Sequence, residues 1–356
     1  MDSDSDEKGT EEESNIFVLS DALLVRILAE LSWKDILNVK LVSRSFYNFI
    51  HENYHQLTRR NVHIVQTFYW EKDLFNFRIM SGRVIEEDSR VNPPFDYDKY
   101  IEKQSDEEVS RIFKMFDMRT LDTFNIPFVD DLDTFGIFNR YFQKGTNIGD
   151  LRITKLSEKN FTNFRMFLDK ISSIKKLEIE HMCFPLTETK DVYSLLPISS
   201  LGTIETFVIF ECPETRILSA DIVTNFFRDN PNMKCLEVGS MNIEFLRSVF
   251  KEYFTMDQTR RMDGKCDFRK ISLNLYCGGE FEHLRDILRN DLNKLKNVEE
   301  VYERMFPYEH VIFGSVIDCK YCHNDMHVIV KYVALWDDRL CDRKWKYHHA
   351  DYNDSP

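Results

Sequence analysis

The sequence is short of the materials that several activities need. It holds only 11 glycines in 356 residues and no GxxxxGK[ST], GxGxxG or GxSxG run. That leaves little for phosphate-cradling loops or a strained nucleophile turn. Basic charge is in deficit: 47 Lys and Arg stand against 60 Asp and Glu, a formal net charge of -13. Nucleic-acid binding needs a basic footprint, and anionic membrane surfaces attract polybasic segments, so the expectation is no nucleic acid and no membrane. No apolar run reaches transmembrane length, and the first residues are too acidic for a signal or transit peptide. With no secretory signal, the eight cysteines are expected to be reduced thiols of a cytoplasmic or nuclear protein.

What is present is globular: 43% hydrophobic and 13% aromatic residues, in a chain long enough for a small module and one large domain. Much of the charge is local. Residues 1–14 carry seven acids against Lys8, which accounts for -6 of the -13. Residues 1–15 therefore read as a solvated acidic tail.

Phe17 to Ile50 is the most patterned stretch. Leu23, Leu24, Ile27, Leu28 and Leu31 form an apolar stripe at helical spacing, with Ser20 where an N-cap belongs and Asp21 in the first turn. A second start follows at Ser32-Trp33-Lys34-Asp35, then Ile36, Leu37, Val39, Leu41 and Val42; a third segment carries Phe46, Phe49 and Ile50. Periodicity alone also fits an ordinary helical hairpin. Three helices in about forty residues enclose too little surface to bury all of these side chains. Some of that surface is left for a partner.

These residues resemble an F-box. Leu19, Leu23-Leu24, Ile27-Leu28, Leu31, Asp35-Ile36, Leu41-Val42-Ser43-Arg44 and Phe46 fall at the family's positions, with Ser20 where the family has proline. The resemblance implies docking onto a Skp-family linker, and through it a cullin-RING ubiquitin ligase. The residues expected to bind the linker are Leu19, Ser20, Leu23, Leu24, Ile27, Leu28, Leu31, Leu37, Leu41, Val42 and Phe46.

Beyond residue 60 the pattern changes. Arg59 to Val65 alternates like a short strand, residues 81–106 read as a long polar loop around Pro93-Pro94, and Phe113 to Phe142 reads as packed, mixed structure. Then an apolar φ-x-x-φ-x-φ unit recurs at Ile148-Leu151-Ile153, Ile174-Leu177-Ile179, Ile204-Phe207-Ile209, Met233-Leu236-Val238 and Phe268-Ile271-Leu273. Helical stretches at 161–171, 220–228, 243–253 and 281–295 lie between. Starts 26, 30, 29 and 35 residues apart are how leucine-rich repeats look, and a plain α/β domain with crossover helices fits as well. The repeat is irregular: of the positions that are Asn or Cys in a regular repeat, only Cys212 conforms. Asp191 to Ile209, through Leu195-Leu196-Pro197 and Thr203 to Ile209, resembles the FTH-type domain that follows the F-box in many nematode proteins. A hairpin is expected from His310-Phe313 and His327-Leu335.

Two constellations could hold metal. His51, Glu52 and His55 have HExxH spacing, but the third histidine of the extended motif does not follow and the module is too thin to exclude water. Cys319 and Cys322, with His323 and His327, give thiolate and imidazole ligands at zinc spacing, and only Cys341 or His348-His349 could close a second pair. Two cysteines flanking a hairpin explain the same residues, so no metal and no cofactor is expected.

The sequence thus predicts an α/β protein: a tail at 1–15, a three-helix F-box at 16–60, a connecting mixed segment at 61–145, an irregular leucine-rich-repeat-like, FTH-like domain at 146–340 and a tail at 341–356. The expected function is a non-catalytic adaptor that presents a protein client for ubiquitination. A non-ligase F-box partner is the alternative, and a zinc enzyme using His51, Glu52 and His55 a distant third. The sequence does not name the client.

Overall fold

The computed structural model describes residues 16–69, 75–81, 97–102, 113–126, 134–183, 201, 203–212, 218–230, 232–256, 270–301, 310–319 and 327–337. The chain divides into two compact units. The first comprises the residues up to Asn61 together with Ser105–Asp117; the second comprises Val62–Gln104 and the chain from Met118 onward.

Three helices build the first unit: α1 (Asp21–Ala29), α2 (Trp33–Lys40) and α3 (Arg44–Asn53). Leu24, Leu28, Ile36, Phe49, Ile50, Tyr54 and Leu57 close its core. The helix starts are not alike. Ser32 accepts from the Asp35 N–H at 3.2 Å and donates to the Asp35 carboxylate at 2.6 Å, and Ser43 accepts from the Phe46 N–H at 3.2 Å. Ser20 has the extended backbone of an N-cap, yet its hydroxyl makes no capping bond. The expected capping role of Ser20 is thus corrected: the backbone alone does that work.

The unit runs past the 16–60 span read from sequence. Strand β1 (Arg60–Asn61) pairs in parallel with β5 (Phe116–Asp117), the Arg60 N–H donates to the Met115 carbonyl at 3.3 Å, and Met115 packs on the helical core. A segment from beyond residue 104 therefore completes this unit.

The second unit is mixed α/β, built on a twelve-stranded, mostly parallel sheet. Six strands follow one another in space as in sequence: β6 (Thr120–Ile126), β7 (Thr146–Ser157), β8 (Ile171–Cys183), β9 (Thr206–Glu211), β10 (Cys235–Ser240) and β11 (Lys270–Cys277), each parallel to the next. Parallel neighbours need crossover connections. Helices α4 (Thr134–Tyr141), α5 (Glu158–Leu168), α6 (Asp221–Asp229) and α7 (Ile243–Thr255) lie in them, and α8 (Phe281–Leu292) follows β11.

Strands β2 (Ile64–Tyr69), β3 (Phe75–Ser81) and β4 (Tyr97–Glu102) extend one edge from β6; β14 (Val328–Asp337), β13 (His310–Asp318) and β12 (Val298–Val301) extend the other from β11. The expected hairpin is there, β13 against β14. The stretch 81–106, read as a loop, instead contains β4, while 82–96 lie outside the described residues. The stretch 61–145, read as connecting, supplies β2, β3, β4, β6 and α4.

Register explains why this sheet is stable. Phe124, Leu151, Leu177, Phe207, Leu236, Leu273 and Val333 stand side by side across seven strands, and each is fully buried. Two residues along, Ile126, Ile153, Ile179, Ile209, Val238, Leu275 and Leu335 form a second row. Burying each such side chain contributes about 1.5–3 kcal/mol. The rows also correct the reading of the repeat. It starts one unit earlier, at Leu121-Phe124-Ile126, and in β11 the residues in register are Leu273 and Leu275, two places beyond the pair read from sequence. Phenylalanines fill the layer beneath: Phe124 meets Phe138 at 4.7 Å, Phe142 meets Phe167 at 5.0 Å, and Phe207 meets Phe226 at 4.4 Å between ring centroids.

The expectation of thiols throughout also changes. Cys183 and Cys212, at the ends of neighbouring β8 and β9, are joined as a disulfide with Cα atoms 5.3 Å apart, while Cys235, Cys277 and Cys319 are not in disulfides.

Polar groups buried in this unit hold element ends. Lys331 of β14, 2% exposed, donates to the Tyr253 and Met256 carbonyls at 3.1 and 2.9 Å, capping the C-terminus of α7 with a cation. Asp291 of α8 receives Arg247 at 2.6 Å, Lys251 at 3.1 Å and Lys294 at 3.2 Å, tying α7 to α8. Those hydrogen bonds, led by Arg247, hold the Asp291 carboxyl well below the usual carboxylate range. Among the described residues, no helix is long and apolar enough to cross a membrane.

Candidate interaction face of the first unit

The helical stripe predicted on α1 splits in two. Positions i and i+4 share a helix face. Leu24 and Leu28 take the inward face and are 1% and 5% exposed, whereas Leu23 and Ile27, one residue earlier in each case, stand 43% and 42% exposed. At the turn between α2 and α3, Leu41 is 84% and Val42 71% exposed. Ser43 fixes that turn by capping α3, which leaves the two preceding side chains outside the helix packing.

The remaining expected contacts fall between these extremes. Leu19, Leu31, Leu37 and Phe46 are half-buried, and Ser20 is exposed. Leu19 and Leu31 pack on the core, and the Phe46 ring meets the Phe17 ring at a tilt, with centroids 4.8 Å apart. Leu24 and Leu28, expected to touch a partner, belong to the core of the unit itself. Ile16, Val18 and Tyr47 are also exposed, and the sequence reading missed them.

Beside this face lies a buried cation. Lys40, 8% exposed, stands 4.5 Å from the Tyr47 ring centroid and 4.8 Å from that of Tyr54, and donates to the Tyr54 hydroxyl at 3.2 Å. Burial, and the neighbouring Tyr47, push the Tyr54 pKa up to about 12. The hydroxyl therefore stays neutral and accepts from the lysine. The arrangement fixes α2 against the end of α3 and provides no nucleophile at ordinary pH.

The HExxH spacing does not become a two-histidine helix face. Helix α3 ends at Asn53, and His55 lies in the tighter turn Tyr54–Gln56 that follows. His51 stacks on Tyr47 at 6.2 Å. Of the second candidate set, Cys319 and His327 close the β13–β14 hairpin, Cys319 donating its N–H to the His327 carbonyl at 3.0 Å. Cys322 and His323 lie outside the described residues. Among the described residues, no group of three or more His, Cys, Asp or Glu side chains is placed to hold a metal ion.

The first unit thus presents aliphatic side chains on α1, on the α2–α3 turn and on the segment before α1. No family model matches the chain, and no curated protein matches it significantly.

Proposed function

We propose that the chain is an adaptor of a cullin-RING ubiquitin ligase. Its first unit is an F-box that docks on a Skp-family linker, and its second is an irregular leucine-rich-repeat-like, FTH-like domain that holds a protein client. What carries the reading is the exposure of Leu41 and Val42 beside a closed helical core, at positions where the F-box pattern has them. Ubiquitin transfer then becomes effectively intramolecular, because the adaptor holds the client near the ligase. The adaptor itself makes no bond, and it works in the cytoplasm or nucleus.

Burying about five aliphatic side chains is worth roughly 8–15 kcal/mol gross. Association costs roughly 4–15 kcal/mol, so losing two of them removes most of the margin. The test is copurification of a Skp-family linker with Leu41→Asp/Val42→Asp. We expect at least a tenfold loss of linker binding with an unchanged melting temperature; undiminished binding would refute the interface. Cullin in the wild-type complex separates a ligase adaptor from an F-box partner that works outside a ligase.

A further inference from the structure

One edge of the large sheet is antiparallel, with β12 paired to β13 and β13 to β14. Helices back one face of it: Phe313 meets Phe250 of α7 at 5.1 Å, and Lys331 bonds to the end of that helix. Side chains alternate across a strand, so the residues between these point to the opposite face. There the register sets Val301 beside Ile312, and Val316 beside Val330. Val328 belongs to the same set, two places before Val330. Val301, Val316 and Val328, far apart in sequence, thus share one face, and all three are exposed, Val316 by 55%. Gly314 lies among them. A Cβ there would stand 3.0 Å from the Val301 side chain, so its absence leaves a shallow trough under that valine.

Charge indicates what fits the trough. Glu299 stands beside Gly314, and Asp318 stands beside Val328, on this same face. Both are exposed, and among the described residues neither carboxylate has a hydrogen-bond or ion-pair partner. Gly314 and Asp318 are four places apart on β13, so the two carboxylates are set about 13 Å apart along the strand. That is the rise of about eight or nine helical residues. Three strands span about 10 Å, the width of a single helix. On the β11 side, Lys270 stands over the Tyr332 ring at 4.5 Å, so the acidic rim is the outer one.

We propose that this face docks a basic amphipathic helix of the client. Its aliphatic side chains fill the trough over Gly314 and cover the three valines, while lysine or arginine residues about two turns apart meet Glu299 and Asp318. The proposal rests on the adaptor reading, which assigns the client to the second unit.

The experiment titrates the full chain into a fluorescein-labelled helical peptide with leucines on one face and lysines flanking them. The control is the same peptide with glutamates for the lysines. We expect saturable binding of the lysine peptide, at least about tenfold tighter than the control and weakening with salt. Val316→Ser/Val328→Ser should cut that affinity by about tenfold, and Glu299→Gln/Asp318→Asn should reduce the lysine preference to under about threefold. Circular dichroism checks that each variant is folded. Leu41→Asp/Val42→Asp, which tests linker docking, should leave peptide affinity unchanged, so the two readings fail separately. Absence of binding to the folded wild-type chain, equal affinity for both peptides, or indifference to the valine change overturns the proposal. So does a dimer in sedimentation that the valine change dissociates, because a second copy would then cover the face.

Discussion

The two units dispose of their apolar side chains in opposite ways. In the second, each strand of the repeat covers its neighbour, and the central rows from Phe124 to Val333 and from Ile126 to Leu335 are closed to water. Its exposed large apolar residues, Met166, Met241, Val301, Val316 and Val328, are scattered among a long described stretch. The first unit, much shorter, leaves Ile16, Val18, Leu23, Ile27, Leu41, Val42 and Tyr47 in water. In a large parallel sheet each strand is flanked by others that cover it, whereas three short helices exhaust their interior after one layer. Apolar surface in the second unit is therefore mostly consumed by its own packing, while the first leaves a larger share of it uncovered.

The sharpest way to break this comparison is to truncate one residue of each kind. Leu236→Ala removes a fully buried side chain between Phe207 and Leu273 and should cost about 2–5 kcal/mol. Leu23→Ala should cost under about 1 kcal/mol. Calorimetry on the two variants decides it: equal losses would mean that Leu23 is structural.

A smaller effect is expected from pH. The carboxylate of Asp291 is depressed in the folded chain, so it contributes stability above the pKa of an unfolded aspartate, about 4, and that contribution is lost as pH falls below it. Asp291→Asn should flatten this acid limb and cost roughly 1–2 kcal/mol at neutral pH. Denaturant titrations between about pH 2 and 7 would show it; an acid limb unchanged in the variant would assign the dependence to other groups.

The smallest test compares two serines of the first unit. Ser43 caps α3 through its hydroxyl and Ser20 does not cap α1. Ser43→Ala should cost about 1 kcal/mol and Ser20→Ala only a few tenths. Parity in chemical denaturation would show that the cap geometry is not what stabilises α3.

Much of this was legible in the residues, and the failures have physical causes. The parallel strands declared themselves because they are buried on a fixed period. In β11, though, Ile271, Leu273 and Leu275 alternate without a break, and a period of two fits equally well after a shift of two; only the neighbouring strands set the register. The Leu121-Phe124-Ile126 unit was hidden among phenylalanines that belong to the helix layer. On α1 the broad stripe was visible, but periodicity marks apolar faces without saying whether the chain or a partner covers them. Burial separated Leu24 and Leu28 from Leu23 and Ile27. The β1–β5 pairing had no local signal, since two-residue strands more than fifty positions apart leave no pattern to read.

That pairing bears on the order in which the chain can mature. Asn61 waits for Asp117, and the helical core waits for Met115, so the first unit is finished only after the ribosome has made the β2–β4 insert. Closing so long a loop carries an entropy cost that grows only logarithmically with its length, so the insert is affordable thermodynamically but imposes a delay. A nascent chain stalled before residue 113 would expose Leu23, Ile27, Leu41 and Val42 on a scaffold still missing its last strand. The β1–β5 pairing is thereby reserved to chains that have passed residue 117 in synthesis.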